Sequence, residues 1–405
     1  MEEKIKPKVV VRIDSLAFGG DGVGRCDGQV VFVAYAAPGD LLEARVIERK
    51  KSYLKAQAVK VIEPGPVRRR PRCPYFGECG GCAWQHVEYG AQLEAKSRLV
   101  AESLKRIGGV EAMLLPIVPS PNEFQYRNRV RLHLSSDGEV GYFARGSRRV
   151  IGIKECPILE PSLAERLPAI ARRAAHAAKS GRAENGRGTV ELYLNEEGRI
   201  TEFRTTGGDP GACSDEGGEA GPAFHQVNRL VNKEMVAFVR KSLAERRDGR
   251  AIELVDLYCG DGNLSLPLTD LASHVVGFDL SARAVELANA KAKELAVPAS
   301  YVTADIPRSR RRIAEAVRTL SAHRDSGGSL LCVIADPPRS GLRSIVDLIA
   351  ASKPELFIYI SCNPPALARD ARLLSDAGFR LEVVQPFDMF PQTFHVETVA
   401  LFSRP

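Results

Sequence analysis

The chain has 405 residues, of which 44% are hydrophobic and 26% are charged, as in a soluble globular protein of two or three domains. No apolar run is long enough to span a membrane, and the N-terminus lacks the apolar segment of a signal peptide, so we expect a cytoplasmic protein without membrane contacts. The nine cysteines are an odd number in a long chain. They are untypical of a disulfide framework and indicate thiols available for metal binding or catalysis.

The net charge of +7 is concentrated near the N-terminus. Residues 1–72 contain 15 Lys or Arg against 9 Asp or Glu, which accounts for +6 of the total. A basic segment on a near-neutral body predicts a module that binds a polyanion. An ordinary solvated surface has the same composition, so charge alone leaves both interpretations open.

Residues 1–63 are predicted to form a small all-β domain. Four short stretches have strand character, and Gly-rich turns separate them: 9–13, 30–33, 42–46 and 58–62. Short strands at close spacing favour an OB-like barrel, a fold that often binds nucleic acid. A stiff linker at 63–66 and a basic run at 68–72 follow the barrel.

Residues 64–222 are predicted to form a central α+β domain. Helices are expected at 89–107 and 160–180, and alternating residues predict strands within 126–158. The stretch 205–222 is rich in Gly, Asp and Glu, so we expect a mobile loop there.

Four cysteines of this central region predict a metal site: Cys73, Cys79, Cys82 and Cys156. The first three follow the spacing C-x5-C-x2-C, and four thiolates can hold either a 4Fe–4S cluster or a structural zinc. Zinc sites usually contain two C-x2-C pairs, and this chain has one. The spacing therefore favours a cluster, with zinc and a metal-free site as the alternatives.

From residue 223 the pattern changes to strands that alternate with helices. Strands are predicted at 251–257, 274–279, 300–305, 330–336, 356–361, 380–387 and 397–403, and helices at 281–295, 308–322, 344–351 and 365–377. This alternation predicts a doubly wound, Rossmann-like sheet. The last two strands have no helix between them, which predicts one antiparallel strand, as in S-adenosylmethionine (SAM) methyltransferases.

The first of these strands runs into a glycine turn at 256–263, which lets a ligand approach the backbone. Asp279 stands 19 residues after Gly260, an offset that suits an acid bound to ribose hydroxyls, and Asp305 is expected at the adenine end. Ser265 replaces the third glycine of the phosphate-binding pattern, and no P-loop lysine follows. A nucleoside without phosphates, such as SAM, therefore fits better than NAD or ATP, and a purely structural turn is the alternative.

Cys362 follows the apolar strand at 356–361, at the edge where open α/β sheets bind ligands. A thiolate that adds to carbon 6 of uracil makes carbon 5 nucleophilic toward a methyl donor, and a base must then remove the carbon 5 proton. Glu397 is the candidate base, and Asn363 is a candidate to orient it. A core position for the cysteine and a surface position for the glutamate are the alternatives.

The segment Asp336-Pro337-Pro338-Arg339 follows the preceding apolar strand. Adenine-N6 methyltransferases carry a similar motif that ends in an aromatic residue, which stacks on the base. Here Arg339 takes that place, and an arginine suits a phosphate or an acidic group. An amino-group methyltransferase therefore stays an alternative that needs no thiol.

With these motifs the chain resembles the bacterial RNA uracil-C5 methyltransferases over nearly its whole length, most closely the RlmD/RumA type that acts on 23S rRNA. Residues 1–63 look like a TRAM domain, and the four cysteines are similar to the 4Fe–4S site of that family. Residues 126–129 and 147–148 are similar to its RNA-contacting central domain. The 205–222 stretch has no counterpart that we recognise.

The resemblance also implies roles for individual residues of 223–405. The SAM-binding residues that it implies, together with the glycine turn, are Gln226, Tyr258, Gly260, Asn263, Asp279, Asp305 and Asp336. It implies Cys362 as the nucleophile and Glu397 as the general base. Asp279 stands where many members have glutamate, which lengthens the expected contact with the ribose.

The resemblance thus implies a monomeric, three-domain enzyme with boundaries at 1–63, 64–222 and 223–405. It is expected to bind SAM and a 4Fe–4S cluster and to convert a specific uridine of 23S rRNA to 5-methyluridine. A tRNA uracil-C5 methyltransferase is disfavoured, since the tRNA enzymes of the family generally lack the barrel and the cysteine set. A non-catalytic RNA-binding factor is the other alternative.

Overall fold

The structure, a computed structural model, describes residues 7–179, 188–195, 197–206 and 226–404. The chain divides into two compact units: residues 1–96, 122–221 and 390–395 form the first, and residues 97–121, 222–389 and 396–405 form the second. The loop expected at 205–222 lies almost wholly outside the described residues. The three domain boundaries stay a prediction.

Five strands of the first unit close into a barrel in the order β1-β2-β3-β5-β4. They are β1 (Lys8–Leu16), β2 (Gly22–Cys26), β3 (Gln29–Ala34), β4 (Leu41–Arg49) and β5 (Tyr53–Glu63). Alternate hydrophobic residues such as Val11, Ile13, Val31 and Val33 fill its interior. The predicted N-terminal β-barrel is therefore confirmed.

The sequence pattern assigns Gly22 and Gly24 to turns, whereas the structure places both in strand β2. A Cβ atom at Gly24 would lie 2.1 Å from the Arg12 carbonyl oxygen, and one at Gly22 would lie 2.9 Å from that of Ala36. These glycines let neighbouring backbone approach β2 closely, and a turn pattern does not distinguish that use.

Helix α1 (Tyr89–Ser103) is followed by one π-helical turn, Leu104–Gly108, and by the short strand β6 (Met113–Leu114). A five-stranded sheet then forms in the first unit from β7 (Arg129–Leu134), β8 (Val140–Phe143), β9 (Val150–Gly152), β10 (Gly188–Leu194) and β11 (Ile200–Thr206). Helices α2 (Pro161–Ala164) and α3 (Leu167–Lys179) share a hydrophobic core with it. The predicted α+β character of this region is confirmed.

The second unit contains the alternating elements. They are α4 (Arg229–Arg246), β12 (Ile252–Leu257), β13 (Ala272–Asp279), α5 (Ala282–Glu294), β14 (Ala299–Thr303), α6 (Arg310–Gly327), β15 (Leu330–Ala335), α7 (Val346–Ser352), β16 (Leu356–Ser361), α8 (Pro364–Asp376), β17 (Arg380–Phe387) and β18 (Glu397–Ser403). The sheet order is β14-β13-β12-β15-β16-β18-β17-β6. Strands β12 to β16 pair in parallel, and β18 is antiparallel to both of its neighbours, as predicted.

Strand β6 joins this sheet in parallel beside β17, with Met113 opposite Val383. No local pattern predicts this pairing, because the two strands are far apart in the sequence. Among the described residues, no helix is long and apolar enough to cross a membrane.

Candidate active site

Residues predicted to bind SAM or to react with the uracil gather at one edge of the sheet in the second unit. The neighbouring strands β13, β12, β15 and β16 are parallel, so their carboxyl ends meet at this edge. Asp279 ends β13, while Tyr258, Asp336 and Cys362 each follow the last residue of a strand. The topology therefore brings residues from four separated segments into one site.

Cys362 and Glu397 become neighbours through the register of β16 and β18. In this antiparallel pair Ser361 lies opposite Thr398, and the Thr398 hydroxyl donates a 2.8 Å hydrogen bond to the Ser361 carbonyl oxygen. If this antiparallel register is continued by one residue, Cys362 lies opposite Glu397. Glu397 is only 3% exposed.

The carboxyl groups of this edge influence one another. Burial raises the pKa of Glu397 well above its usual range, the charge of Asp336 raises it further, and Arg339 opposes both effects. Burial and the charge of Asp279 raise the pKa of Asp336 to about 7. A buried carboxylate with a raised pKa is a stronger base, which suits proton removal near neutral pH.

The Cys362 thiol is partly buried and has both acidic and basic groups near it. Burial raises its pKa to about 11, the charges of Glu397 and Asp336 add to this increase, and Arg339 lowers the pKa. The thiolate is the nucleophilic form of a cysteine, so Arg339 favours the reactive form of this side chain while Glu397 and Asp336 disfavour it.

The glycine turn after β12 is tied to Asp279. Tyr258 and Gly260 adopt positive φ angles of 63° and 55°. The Gly260 N–H donates a 2.9 Å hydrogen bond to one carboxylate oxygen of Asp279, and the Ser281 N–H donates a 2.8 Å bond to the other. These bonds fix the carboxylate at the carboxyl edge, and each oxygen keeps a further lone pair for a ligand.

Asp305 lies two residues beyond the end of β14, whereas the sequence pattern predicts it as the last strand residue. It lies close to Tyr258, since burial and the charge of Asp305 together raise the pKa of that phenol to about 12. These two predicted SAM-binding residues therefore lie near each other.

Asn263 contacts helix α4, and Gln226 lies just before the start of that helix. The amides of Asn263 and Asn232 exchange hydrogen bonds of 2.8 and 3.1 Å, and Asn232 belongs to α4. Gln226 is half-buried, two residues before Asn228, whose side chain caps the first turn of the same helix. Asn232 carries no sequence signal, because nothing in its local pattern indicates a partner in the glycine turn.

Sequence reasoning also missed Asp256, a wholly buried residue of β12. Burial raises its pKa to about 7, and the charges of Asp336 and Asp279 add to this increase. An acidic residue inside a predicted buried strand was the available signal.

The four predicted metal ligands lie in the first unit. Charges on the other cysteines help to raise the pKa of Cys82 to about 12 and that of Cys79 to about 11, although burial is the larger cause for both. Cys73 and Cys156 are among these neighbours, so the four thiols lie close together. Among the described residues, no group of three or more His, Cys, Asp or Glu side chains is arranged to hold a metal ion.

Residues 219–405 match the family model described as tRNA (Uracil-5-)-methyltransferase, and residues 8–59 match the TRAM domain. The 23S rRNA (uracil(1939)-C(5))-methyltransferase RlmD of Pseudomonas putida is 34% identical, over 96% of this chain and 92% of its own length. This chain belongs to the RNA (uracil-C5)-methyltransferase family.

Two further members of the RNA (uracil-C5)-methyltransferase family support the assignment. The enzyme RlmD of Photorhabdus laumondii is 31% identical, over 98% of this chain and 96% of its own length. The crystal structure of Pyrococcus abyssi tRNA (uracil-54, C5)-methyltransferase with S-adenosyl-L-homocysteine superposes with a TM-score of 0.68 at 25% identity, covering 97% of this chain and 100% of that one. The predicted family, its TRAM barrel and its methyltransferase sheet are confirmed.

The matched ranges separate two groups of predicted site residues. The SAM-site residues, Cys362 and Glu397 all lie within the methyltransferase match at 219–405. The four cysteines lie outside both matched ranges. The family-model matches therefore include the predicted SAM site, Cys362 and Glu397, and they leave out the four cysteines.

Proposed function

We propose that this methyltransferase transfers the methyl group of SAM to carbon 5 of a uridine in 23S rRNA through a covalent adduct with Cys362. The register of β16 and β18 is the observation that carries the mechanism, since it continues directly to Cys362 and Glu397. A thiol beside a buried carboxylate with a raised pKa supplies both groups that carbon 5 chemistry requires.

In the proposed reaction the Cys362 thiolate adds to carbon 6 of a uracil that has left its stack. The electron pair of the carbon 5–carbon 6 double bond moves toward the carbonyl at carbon 4 and makes carbon 5 nucleophilic. SAM, when bound, would supply an electrophilic methyl group. Carbon 5 would accept this group as the sulfur–methyl bond breaks, with S-adenosyl-L-homocysteine as the leaving group. Glu397 then removes the carbon 5 proton, the double bond re-forms, and the carbon–sulfur bond breaks to release the thiolate.

The cofactor is proposed to lie across the carboxyl ends of β12, β13 and β14. Asp279, fixed by two backbone N–H groups, accepts hydrogen bonds from the ribose hydroxyls. Tyr258 and Asp305 flank the adenine. The other proposed contacts are Gln226, Gly260, Asn263 and Asp336. The S-adenosyl-L-homocysteine in the related Pyrococcus abyssi structure supports a nucleoside ligand in this fold.

The RlmD relatives support 23S rRNA as the substrate. The Pyrococcus abyssi enzyme is a tRNA methyltransferase, and its structure matches 97% of this chain. The presence of a barrel therefore does not distinguish an enzyme that acts on rRNA from one that acts on tRNA. A tRNA uracil-C5 methyltransferase is therefore the second candidate function.

The substrate is tested with SAM carrying a labelled methyl group and with unmodified 23S rRNA or tRNA transcripts. We expect 5-methyluridine in the 23S rRNA and none in the tRNA. Mapping of 5-methyluridine in rRNA and tRNA from cells lacking this protein is the matching measurement. Loss of the modification from tRNA alone would establish the second candidate instead.

We further propose that Cys73, Cys79, Cys82 and Cys156 hold a 4Fe–4S cluster. Two observations support this donor set. The charges of the other three cysteines help to raise the pKa of Cys82, and the Gly81 N–H donates a 3.4 Å hydrogen bond to the Cys79 sulfur. A cluster holds its four cysteine sulfurs farther apart than a single ion holds its ligands, so thiols that do not group around one ion are compatible with it.

Protein purified without oxygen is expected to be brown and to contain iron and inorganic sulfide. The Cys82→Ser variant should lose both, because one thiolate ligand is missing. Cys26→Ser is the matched control, since Cys26 lies on barrel strand β2, and it should keep the colour. Colourless protein that contains one zinc ion per chain would contradict the cluster.

A further inference from the structure

The loop after β15 carries Arg339, which takes no part in the methyl-transfer steps proposed for Cys362 and Glu397. The Arg339 carbonyl oxygen accepts a 2.9 Å hydrogen bond from the Asn363 side chain, next to Cys362. The Arg339 guanidinium lies close enough to Cys362 for its charge to lower the pKa of the thiol. Asn363 thus holds this loop, whereas the sequence pattern predicts that it orients Glu397.

A buried acid fixes this loop onto α8. Asp370 is fully buried and accepts hydrogen bonds from the Tyr359 hydroxyl at 2.9 Å and from the Leu342 N–H at 2.7 Å. Arg369 donates to the Asp370 carboxylate at 2.7 Å and to the Ser340 carbonyl oxygen at 2.7 Å. The segment that follows Arg339 is therefore bound to the helix at several points.

The nucleophile is tied to the same helix. Asn363 caps α8, and its side-chain oxygen accepts a 3.4 Å hydrogen bond from the Ala366 N–H. Cys362 directly precedes this cap, so the thiol lies at the N-terminal end of α8, where the helix dipole favours negative charge. Helix α8 therefore holds both the loop of Arg339 and the segment that carries the Cys362 thiol.

The thiol has charged groups of both signs around it. Glu397 at the start of β18 and Asp336 at the end of β15 are acidic and disfavour a thiolate, while Arg339 favours it. Arginine stays charged at every pH relevant to the reaction, and its planar group offers several donors. A hydrogen bond to an ionised acceptor is also stronger than one to a neutral acceptor.

We propose that Arg339 is a further catalytic residue, whose guanidinium donates a hydrogen bond to the Cys362 sulfur and stabilises the thiolate that adds to carbon 6. This inference rests on the proposed function, because it assigns Arg339 to the addition step. Arg339 is exposed, so a nucleotide that enters the site covers it and strengthens the interaction as water leaves.

The competing role for an exposed arginine is a contact with an RNA phosphate. The two roles predict different measurements. Thiolate stabilisation changes the reactivity of the sulfur without RNA and changes kcat. A phosphate contact changes KM for RNA and the salt dependence of binding, and leaves the free thiol unaffected.

The test compares the full-length wild type with Arg339→Met, Arg339→Lys and the control Arg343→Met. Arg343 is also exposed and lies four residues along the same segment. Alkylation of Cys362 by iodoacetamide is followed against pH by mass spectrometry of the peptide that contains this residue. In Arg339→Met we expect alkylation near neutral pH to slow about 10-fold, with its midpoint at higher pH. Arg339→Lys should recover part of the rate, and Arg343→Met should match the wild type.

In methylation assays Arg339→Met should lower kcat and leave KM for RNA within about 2-fold of the wild type. An unchanged alkylation profile together with a raised KM would overturn the proposal in favour of the phosphate contact. Full turnover by Cys362→Ser would instead overturn the covalent mechanism. The alkylation result keeps the two failures distinct, because it reports the contact between Arg339 and Cys362 without any methyl transfer.

Discussion

Replacement of Cys362 by serine is expected to abolish methyl transfer to RNA while SAM binding is retained. The serine hydroxyl is not ionised near neutral pH, so it does not add to carbon 6, and carbon 5 stays too weak a nucleophile. We expect the rate to fall by at least about 10⁴-fold, as in other enzymes that lose their nucleophile. Transfer of a labelled methyl group to 23S rRNA measures the rate, and calorimetric titration with SAM measures binding.

Cys332→Ala is the matched control for this experiment. Cys332 is a fully buried cysteine of β15, in the same sheet but away from its carboxyl edge. This variant should transfer methyl groups at nearly the wild-type rate. Turnover retained by Cys362→Ala would exclude the covalent route and favour chemistry on an amino group.

The Glu397→Gln variant is expected to accumulate a covalent complex of protein and RNA that survives denaturation. Glutamine keeps the shape of the side chain but does not accept the carbon 5 proton, so the carbon–sulfur bond persists. Addition itself should proceed, because removal of the Glu397 charge takes away one cause of the raised pKa of Cys362. A denaturing gel with labelled RNA measures the complex.

Two variants control for unrelated causes of this adduct. The double variant Cys362→Ser, Glu397→Gln should form no adduct, because the attachment point is missing. Glu382→Gln changes a carboxylate of β17, on the neighbouring strand, and should release its product normally. An inactive Glu397→Gln variant without an adduct would show that Glu397 acts before the proton is removed.

The elements of the methyltransferase sheet were predictable because their signals are local. Strand β16 is observed at Leu356–Ser361, where its apolar run predicts it, and α8 begins at Pro364 within a residue of its predicted start. The spacing of Gly260 and Asp279 predicts that both lie at one ligand site, which stays a prediction, and the structure joins the two residues by a 2.9 Å hydrogen bond. In each case a short segment carries its own periodicity or spacing.

Contacts between distant segments were not predictable in this way. Asn263 is held by Asn232 from α4, and β6 pairs with β17, although neither local pattern indicates the partner. Gly22 and Gly24 look like turn residues, yet they lie in a barrel strand against neighbouring backbone. A glycine serves both purposes, so only the packed barrel distinguishes them.

The sequence by itself determined the family, the order of the elements and the position of Cys362 at the end of a buried strand. These follow from residue identity and from periods of two or 3.6 residues, which need no tertiary information. Only the tertiary structure decided which charges surround the thiol. The register of β18, the Asp370 contacts on α8 and the burial of Glu397 together set that environment. Reactivity depends on distance and exclusion of water, and both are properties of the folded chain.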